Sequence, residues 1–289
     1  MANNKITMKE MVELDGARHV LGLSGGKDSA ALAIYIKDRY PSIHEKVEYF
    51  FSDTGAELQE VYDFLDKLEA YLGKEIIRLS SGKDFDHWLK LRYGYLPSPQ
   101  QRWCTQTMKI KPFEEFVGDD LVVSYIGIRA DEHREGYISH KETIKAVFPF
   151  IEDGLARDDI FRILEDSVGI PEYYKWRSRS GCYFCFFQRQ DEWLGLKRNH
   201  PELFERAKAY EQQARTRYDW KDGEVPINGY GYTWSSQGTI DEMVTKAEER
   251  ERKSGVITTT NKGSERWQET LKNMIDDDPE DQACLICSL

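Results

Sequence analysis

The seven residues Leu23-Ser24-Gly25-Gly26-Lys27-Asp28-Ser29 hold the densest chemistry in this chain, because they stand between an apolar run and a helical pattern. Residues 20–23 read as a short buried strand, and Ala30, Ala31, Leu32, Ile34, Tyr35 and Ile36 read as the apolar side of a helix. Two glycines between them let the backbone approach a phosphate, while the first-turn N–H groups and the helix dipole point at the anion. Ser24 and Ser29 add hydroxyl donors, and Lys27 adds a mobile positive charge. The P-loop of common NTPases requires Gly, four residues, then Gly-Lys-Ser/Thr. Here Leu21 stands at the first glycine and Asp28 follows Lys27, so that motif fails. The alternative is an ordinary Gly-rich turn.

Four further constellations follow. Asp53-Thr54-Gly55 lies just after a second apolar run, where a carboxylate can meet a ribose or a metal and Gly55 permits close approach, although an Asp-x-Gly turn is also commonplace. Gly127-Ile128-Arg129-Ala130-Asp131-Glu132-His133-Arg134 presents two guanidinium groups, whose planar forks suit phosphate or sulfate; a solvated charge run is the competing reading. Arg102-Trp103-Cys104-Thr105 precedes Lys109, Lys111 and Pro112. Finally, Cys182-Tyr183-Phe184-Cys185 can offer two thiolates to one metal inside an aromatic shield, and no histidine lies close by in sequence. With Cys104, Cys284 and Cys287 the chain has five cysteines, two pairs of them spaced Cys-x-x-Cys, which favours a metal or redox site over structural disulfides. A four-cysteine zinc site and plain buried cysteines are the alternatives. Around the second pair, Lys175, Arg177, Arg179 and Arg189 interleave with Tyr173, Tyr174, Trp176 and Tyr183, a pattern that either grips nucleic acid or merely fills a core.

Positioning these groups demands a scaffold, and the chain is long enough for one. At 289 residues with 40% hydrophobic side chains it can bury a full core. Apolar runs at 47–52, 75–79 and 121–126 read as strands, and Leu58, Val61, Tyr62, Leu65, Leu68 and Leu72 repeat at helical spacing. Such alternation predicts a parallel sheet wrapped by helices, with ligands at the carboxyl ends of its strands. From Ile151 onward no strand is expected: 158–166, 201–218 and 239–253 read as helices, 229–234 as a loop, and the acidic run 276–281 as the start of a flexible tail ending in Cys284 and Cys287. The expected division is a nucleotide-binding α/β domain over 1–150 and a mainly helical region over 151–289. A net charge of −11 excludes a surface that coats nucleic acid generally, so any such contact must be a local basic patch or come from a partner. With no apolar leader and no long apolar span, the expectation is a cytoplasmic protein without membrane contact.

Ser24-Gly25-Gly26-Lys27-Asp28-Ser29 resembles the pyrophosphate loop of the ATP pyrophosphatase superfamily, whose members typically cleave ATP to AMP and pyrophosphate. The ordered set of Asp-Thr-Gly, Arg-Trp-Cys, Gly-x-Arg and Gly-Cys-x-x-Cys over residues 18–215 is similar to its phosphoadenosine phosphosulfate (PAPS) reductase-like branch, with His133 and Thr105 departing from the usual serine and second cysteine. The resemblance implies a parallel twisted sheet with helices on both faces. It implies ATP and Mg²⁺ held by Ser24, Gly25, Gly26, Lys27, Asp28, Ser29, Asp53, Gly55, Lys109 and Gly127, with Lys27, Asp28, Arg129 and Arg134 as catalytic residues. It further implies a 4Fe–4S cluster, or zinc instead, on Cys104, Cys182, Cys185 and one of Cys284 or Cys287, the tail cysteines also being candidate persulfide carriers. The C-terminal sequence lacks the Glu-Cys-Gly-x-His tail of true reductases. The set looks most like the pyrophosphatase component of DNA phosphorothioation systems, with a cysteine desulfurase as sulfur donor and a homodimer left open. PAPS reduction, tRNA thiolation and a non-catalytic nucleotide-binding scaffold are the alternatives.

Overall fold

The computed structural model describes residues 5–11, 14–132, 139, 141–217 and 232–255. Five strands form one sheet: β1 (Arg18–Gly22), β2 (Val47–Ser52), β3 (Ile76–Leu79), β4 (Val122–Tyr125) and β5 (Ile144–Val147). All pairs are parallel and the order is β3-β2-β1-β4-β5. Strands buried on both faces need side chains that are apolar in both directions, and these are. Val20, Phe50 and Val122 pack with Phe113 and Val117 on one face, while Leu21, Tyr49 and Val123 join the larger cluster on the other.

The helices that supply those faces are α1 (Lys27–Arg39), α2 (Gln59–Leu72), α3 (Phe85–Leu91), α4 (Lys111–Val117), α5 (Arg157–Glu165), α6 (Gln190–Asn199), α7 (Pro201–Arg217) and α8 (Ile240–Ser254). Helix α1 is buried nearly all round, through Ala30, Ala31, Leu32, Ala33, Ile34 and Ile36, because α5 packs across the side that the sheet leaves open. Its alanines allow that close double packing. Helix α2 shows the expected stripe, with Val61, Phe64, Leu65, Leu68 and Leu72 buried, and stops at Gly73 in the left-handed conformation. Helix α8 begins on a capping box, Thr239 with Glu242.

The α/β fold is thus the one the residue pattern predicts, with one strand more than expected. Ile144-Lys145-Ala146-Val147 is short and broken by a half-exposed lysine, so its pattern is faint; pairing with β4 makes it a strand. Beyond Ile151 the described residues hold helices, a 3₁₀ turn over Glu172–Lys175 and only an isolated bridge between Ser235 and Gly238. One continuous core cluster runs from Met11 to Ala247 and includes Leu21, Leu65, Phe184, Trp193 and Trp234.

The strand order decides where a ligand can go. The chain runs from β1 outward through β2 to β3, then returns to place β4 on the opposite flank of β1. The loops that leave β1 and β4 therefore diverge and open a crevice at their carboxyl ends.

Candidate functional site

The loop after β1 is held from several sides. Gly25 has φ +75°, and a Cβ on it would stand 2.6 Å from Val61 Cγ1. A Cβ on Gly26 would stand 2.9 Å from Ser180 Oγ and 3.2 Å from Ser24 Oγ, so neither position tolerates a side chain without movement. Both serines are engaged within the loop: Ser24 N donates to Ser29 Oγ (3.2 Å), Gly26 N to Ser24 Oγ (3.3 Å) and Ser29 Oγ to Gly26 O (3.3 Å). Two fully buried tyrosines from the 3₁₀ turn complete the cradle. Tyr173 donates its hydroxyl to Gly25 O, and Tyr174 accepts at its hydroxyl from Lys27 N (2.9 Å), a first-turn amide of α1.

Charge is concentrated at the mouth of this loop. Lys27 Nζ lies 2.6 Å from Asp28 Oδ2, and Asp28 Oδ1 lies 3.0 Å from an Arg129 guanidinium nitrogen. Arg129 also pairs with Asp131 (2.9 Å) and Glu132 (2.7 Å). The approach is possible because Gly127 has no side chain: a Cβ there would sit 2.9 Å from the Asp28 carbonyl oxygen. Burial works against the Asp28 charge, but Lys27 and Arg129 more than offset it and hold the carboxyl down to about 2. Burial is also the main influence on Lys27 and pulls its ammonium below the ordinary lysine value against the attraction of Asp28.

A third cation was not legible in the sequence. Arg157, the first residue of α5, is brought to this cluster because Ala130 N donates to Leu155 O (2.9 Å), tying the loop after β4 to the turn before α5. It makes no ion pair among the described residues, and burial, followed by repulsion from Arg129, pulls its pKa below the ordinary arginine value. No local motif marks it; only the tertiary tie does.

The Asp53 loop is shaped by its own carboxylate, which accepts from Gly55 N (2.8 Å) and from the Tyr62 hydroxyl (2.8 Å), with Gly55 at φ +68°. Lys109 lies on a π-helical turn, Gln106–Ile110, an irregularity that spacing alone does not reveal. Its charge acts on the Cys182 thiol.

Cys182 Sγ contacts Thr54 Oγ1 (3.1 Å) and Glu57 Oε1 (3.6 Å), so the Cys-x-x-Cys turn docks on the Asp53-Thr54-Gly55 loop. Burial, then the Glu57 carboxylate, push this thiol well above the ordinary cysteine value. Glu57 was not anticipated as a neighbour of the thiol. Among the described residues no group of three or more His, Cys, Asp or Glu is arranged to hold a metal ion, and the expected ligand set of Cys104, Cys182 and Cys185 also draws on a tail cysteine outside those residues. Cys284, Cys287 and Arg134, the remaining site candidates, lie outside the described residues.

The aromatics of the segment around Cys182 are packed inside the protein. Arg177 is fully buried and donates to Gly181 O (2.9 Å) and Cys182 O (2.8 Å), while Tyr173, Tyr174, Trp176 and Tyr183 are buried in the core. Arg179 stacks over Phe187, and the exposed Lys175 pairs with Glu172. Arg177, Arg179 and Lys175 thus each meet a local carbonyl, ring or carboxylate.

Comparison with known proteins bears on this arrangement. Residues 18–151 match the phosphoadenosine phosphosulfate reductase domain. That match takes in β1 to β5, the Ser24–Ser29 loop, Asp53 and Arg129. An uncharacterized protein of Methanocaldococcus jannaschii is 30% identical over 201 residues, 65% of this chain and 40% of that protein. A second uncharacterized protein of the same organism is 27% identical over 70% of this chain and 51% of its own length. A tRNA-specific 2-thiouridylase of Actinobacillus pleuropneumoniae is 22% identical over 62% of this chain and 53% of its own. The chain thus spans about half the length of the curated relatives it matches. A PAPS reductase from Candida auris, solved as a phosphate complex, overlays with a TM-score of 0.42 at 12% identity, covering 55% of this chain and 76% of that one.

Proposed function

We propose that this PAPS reductase-like chain is an ATP pyrophosphatase that activates an acceptor oxygen by adenylylation so that sulfur can replace it, with the DNA backbone as the acceptor. The observation that carries the reading is the Lys27–Asp28–Arg129 chain at the mouth of the Ser24–Ser29 loop, at the crevice between β1 and β4.

In this reading the pyrophosphate end of ATP lies on the loop. Mg²⁺ bound with the nucleotide would neutralise phosphate charge, as it does where phosphates supply most of its ligands. Asp28 pairs with both Lys27 and Arg129 and so holds the two cations beside the loop, where both can stabilise the departing pyrophosphate. Attack of the acceptor oxygen on the α-phosphorus expels pyrophosphate and leaves the acceptor adenylylated. The terminal sulfur of a persulfide formed by a cysteine desulfurase then expels AMP, a far better leaving group than the original oxygen, and a second thiol cleaves the resulting S–S bond, leaving sulfur on the acceptor and a disulfide on the donor.

Thiolation of tRNA is the second reading, favoured by the similarity to a tRNA-specific 2-thiouridylase. The deciding experiment is anaerobic incubation of the protein with ATP, desulfurase, cysteine and either DNA or tRNA, following pyrophosphate and sulfur incorporation. Lys27→Ala and Asp28→Ala are expected to abolish pyrophosphate release. Sulfite release from PAPS with a thiol donor, indifferent to nucleic acid, would instead identify a reductase, and nucleotide binding without turnover a scaffold.

A further inference from the structure

The Ser24–Ser29 loop receives a hydroxyl from outside the residues that match the reductase domain. Ser180, 6% exposed, stands two positions before Cys182 and beyond the matched residues 18–151. Its Oγ donates to Ser24 Oγ (3.4 Å), and Ser24 Oγ in turn lies 3.3 Å from Ser29 Oγ. Tyr174 reaches the same place: a Cβ on Gly26 would meet Ser180 Oγ at 2.9 Å, Ser24 Oγ at 3.2 Å and the Tyr174 hydroxyl at 3.5 Å. Hydroxyls from two distant segments thus surround a loop position that has no side chain, beside the Lys27 amide that opens α1.

Ser180 is held there from both sides. Fully buried Arg177 donates to Gly181 O (2.9 Å) and Cys182 O (2.8 Å), Ser178 donates its N–H (2.7 Å) and its hydroxyl (2.6 Å) to buried Glu192, and Tyr183 N donates to Ala56 O (2.9 Å). These bonds fix the backbone around Ser180 without using its side chain. The serine oxygens stand 3.3 Å and 3.4 Å from one another, longer than the separation of about 2.7–2.8 Å usual between hydroxyls. They satisfy one another weakly, and a phosphate oxygen draws their protons more strongly, because a charged acceptor makes the stronger hydrogen bond.

We propose that Ser180 is a further binding residue for the pyrophosphate end of the nucleotide, an inference that rests on the reading above. Its hydroxyl turns from Ser24 Oγ to a pyrophosphate oxygen and adds a donor to those of Ser24, Ser29 and Lys27. The nucleotide site is then complete only when the segment 173–183 is docked, the same docking that sets Cys182 Sγ against Thr54 Oγ1.

The test measures the affinity of the full chain for inorganic pyrophosphate and for AMP by titration calorimetry. Ser180→Ala is expected to bind pyrophosphate about tenfold more weakly, the loss of one hydrogen bond to a charged group, and to bind AMP as the parent does. With its backbone anchors intact it is expected to melt like the parent. Should it melt lower, the thermal shift that pyrophosphate produces over the variant's own baseline still reads the affinity. Unweakened pyrophosphate binding in Ser180→Ala overturns the assignment. An equal loss for pyrophosphate and AMP overturns it too, marking a residue that only supports the fold, as does a parent that binds no pyrophosphate. The reaction is judged separately, by pyrophosphate release from ATP in the incubation described above. A parent that binds pyrophosphate through Ser180 yet releases none from ATP keeps the site and loses the reaction; release from ATP with unweakened binding in the variant keeps the reaction and loses the site.

Discussion

Arg157 and Asp28 show how far single residues carry the argument. A cation at the first turn of a helix opposes the macrodipole, and this one is also repelled by Arg129, against attraction from Asp131, Asp28 and Asp158. An anion in the crevice would reverse both terms. Arg157→Gln is therefore expected to raise the KM for ATP roughly tenfold, a loss of about 1.4 kcal/mol, while leaving melting unchanged or raising it. A lowered melting temperature would mark a structural residue instead. Asp28 titrates near 2 in the fold, below its ordinary 3.8, so its contribution to stability is complete above that ordinary value and is lost as pH falls toward 2. Acid unfolding of Asp28→Asn should lack this component, and an acid limb identical to the parent's would show that the pairing does not support the fold.

Loops and turns, one scale up, decide how the residues meet. The close approach of Gly127 to the Asp28 carbonyl brings Arg129 within reach, and Gly127→Ala must push backbone against backbone. Its expected effect is a stability loss of about 1–3 kcal/mol together with loss of pyrophosphate release, measured by denaturant titration and turnover. Tyr174 fills a different role, since its hydroxyl occupies the Lys27 amide that a phosphate oxygen would use. Tyr174→Phe leaves that amide without an acceptor, at a cost of about 1–3 kcal/mol. Added ATP should stabilise the variant more than the parent, and equal thermal shifts would mean that the nucleotide never meets this amide.

Across the whole molecule, sheet and helical region share one core. Trp234, fully buried, donates Nε1–H to Ala207 O (2.9 Å) and stacks on Phe184 (5.0 Å), which in turn touches Phe85. Calorimetry should show one cooperative transition, and Trp234→Ala should lower stability by about 3–5 kcal/mol. Two separated transitions would instead reveal independent units. No helix among the described residues is long and apolar enough to cross a membrane.

What the sequence determined by itself was local. Its buried strands, the stripe of α2, the helical pattern of α8 and the Ser24–Ser29 loop are properties of neighbours along the chain, for which periodicity and residue type suffice. Arg129 was legible because its loop follows a strong strand. Arg157, Glu57 and Tyr174 were not, since each reaches the site through a contact more than a hundred residues away or through a loop-to-loop hydrogen bond. For the interleaved segment 173–189 the sequence left two readings open, because a cation beside an aromatic in sequence says nothing about which carbonyl it satisfies. Only tertiary packing decided that Arg177 is buried and that Ser180 reaches Ser24, because burial is set by what folds over a residue and not by what precedes it.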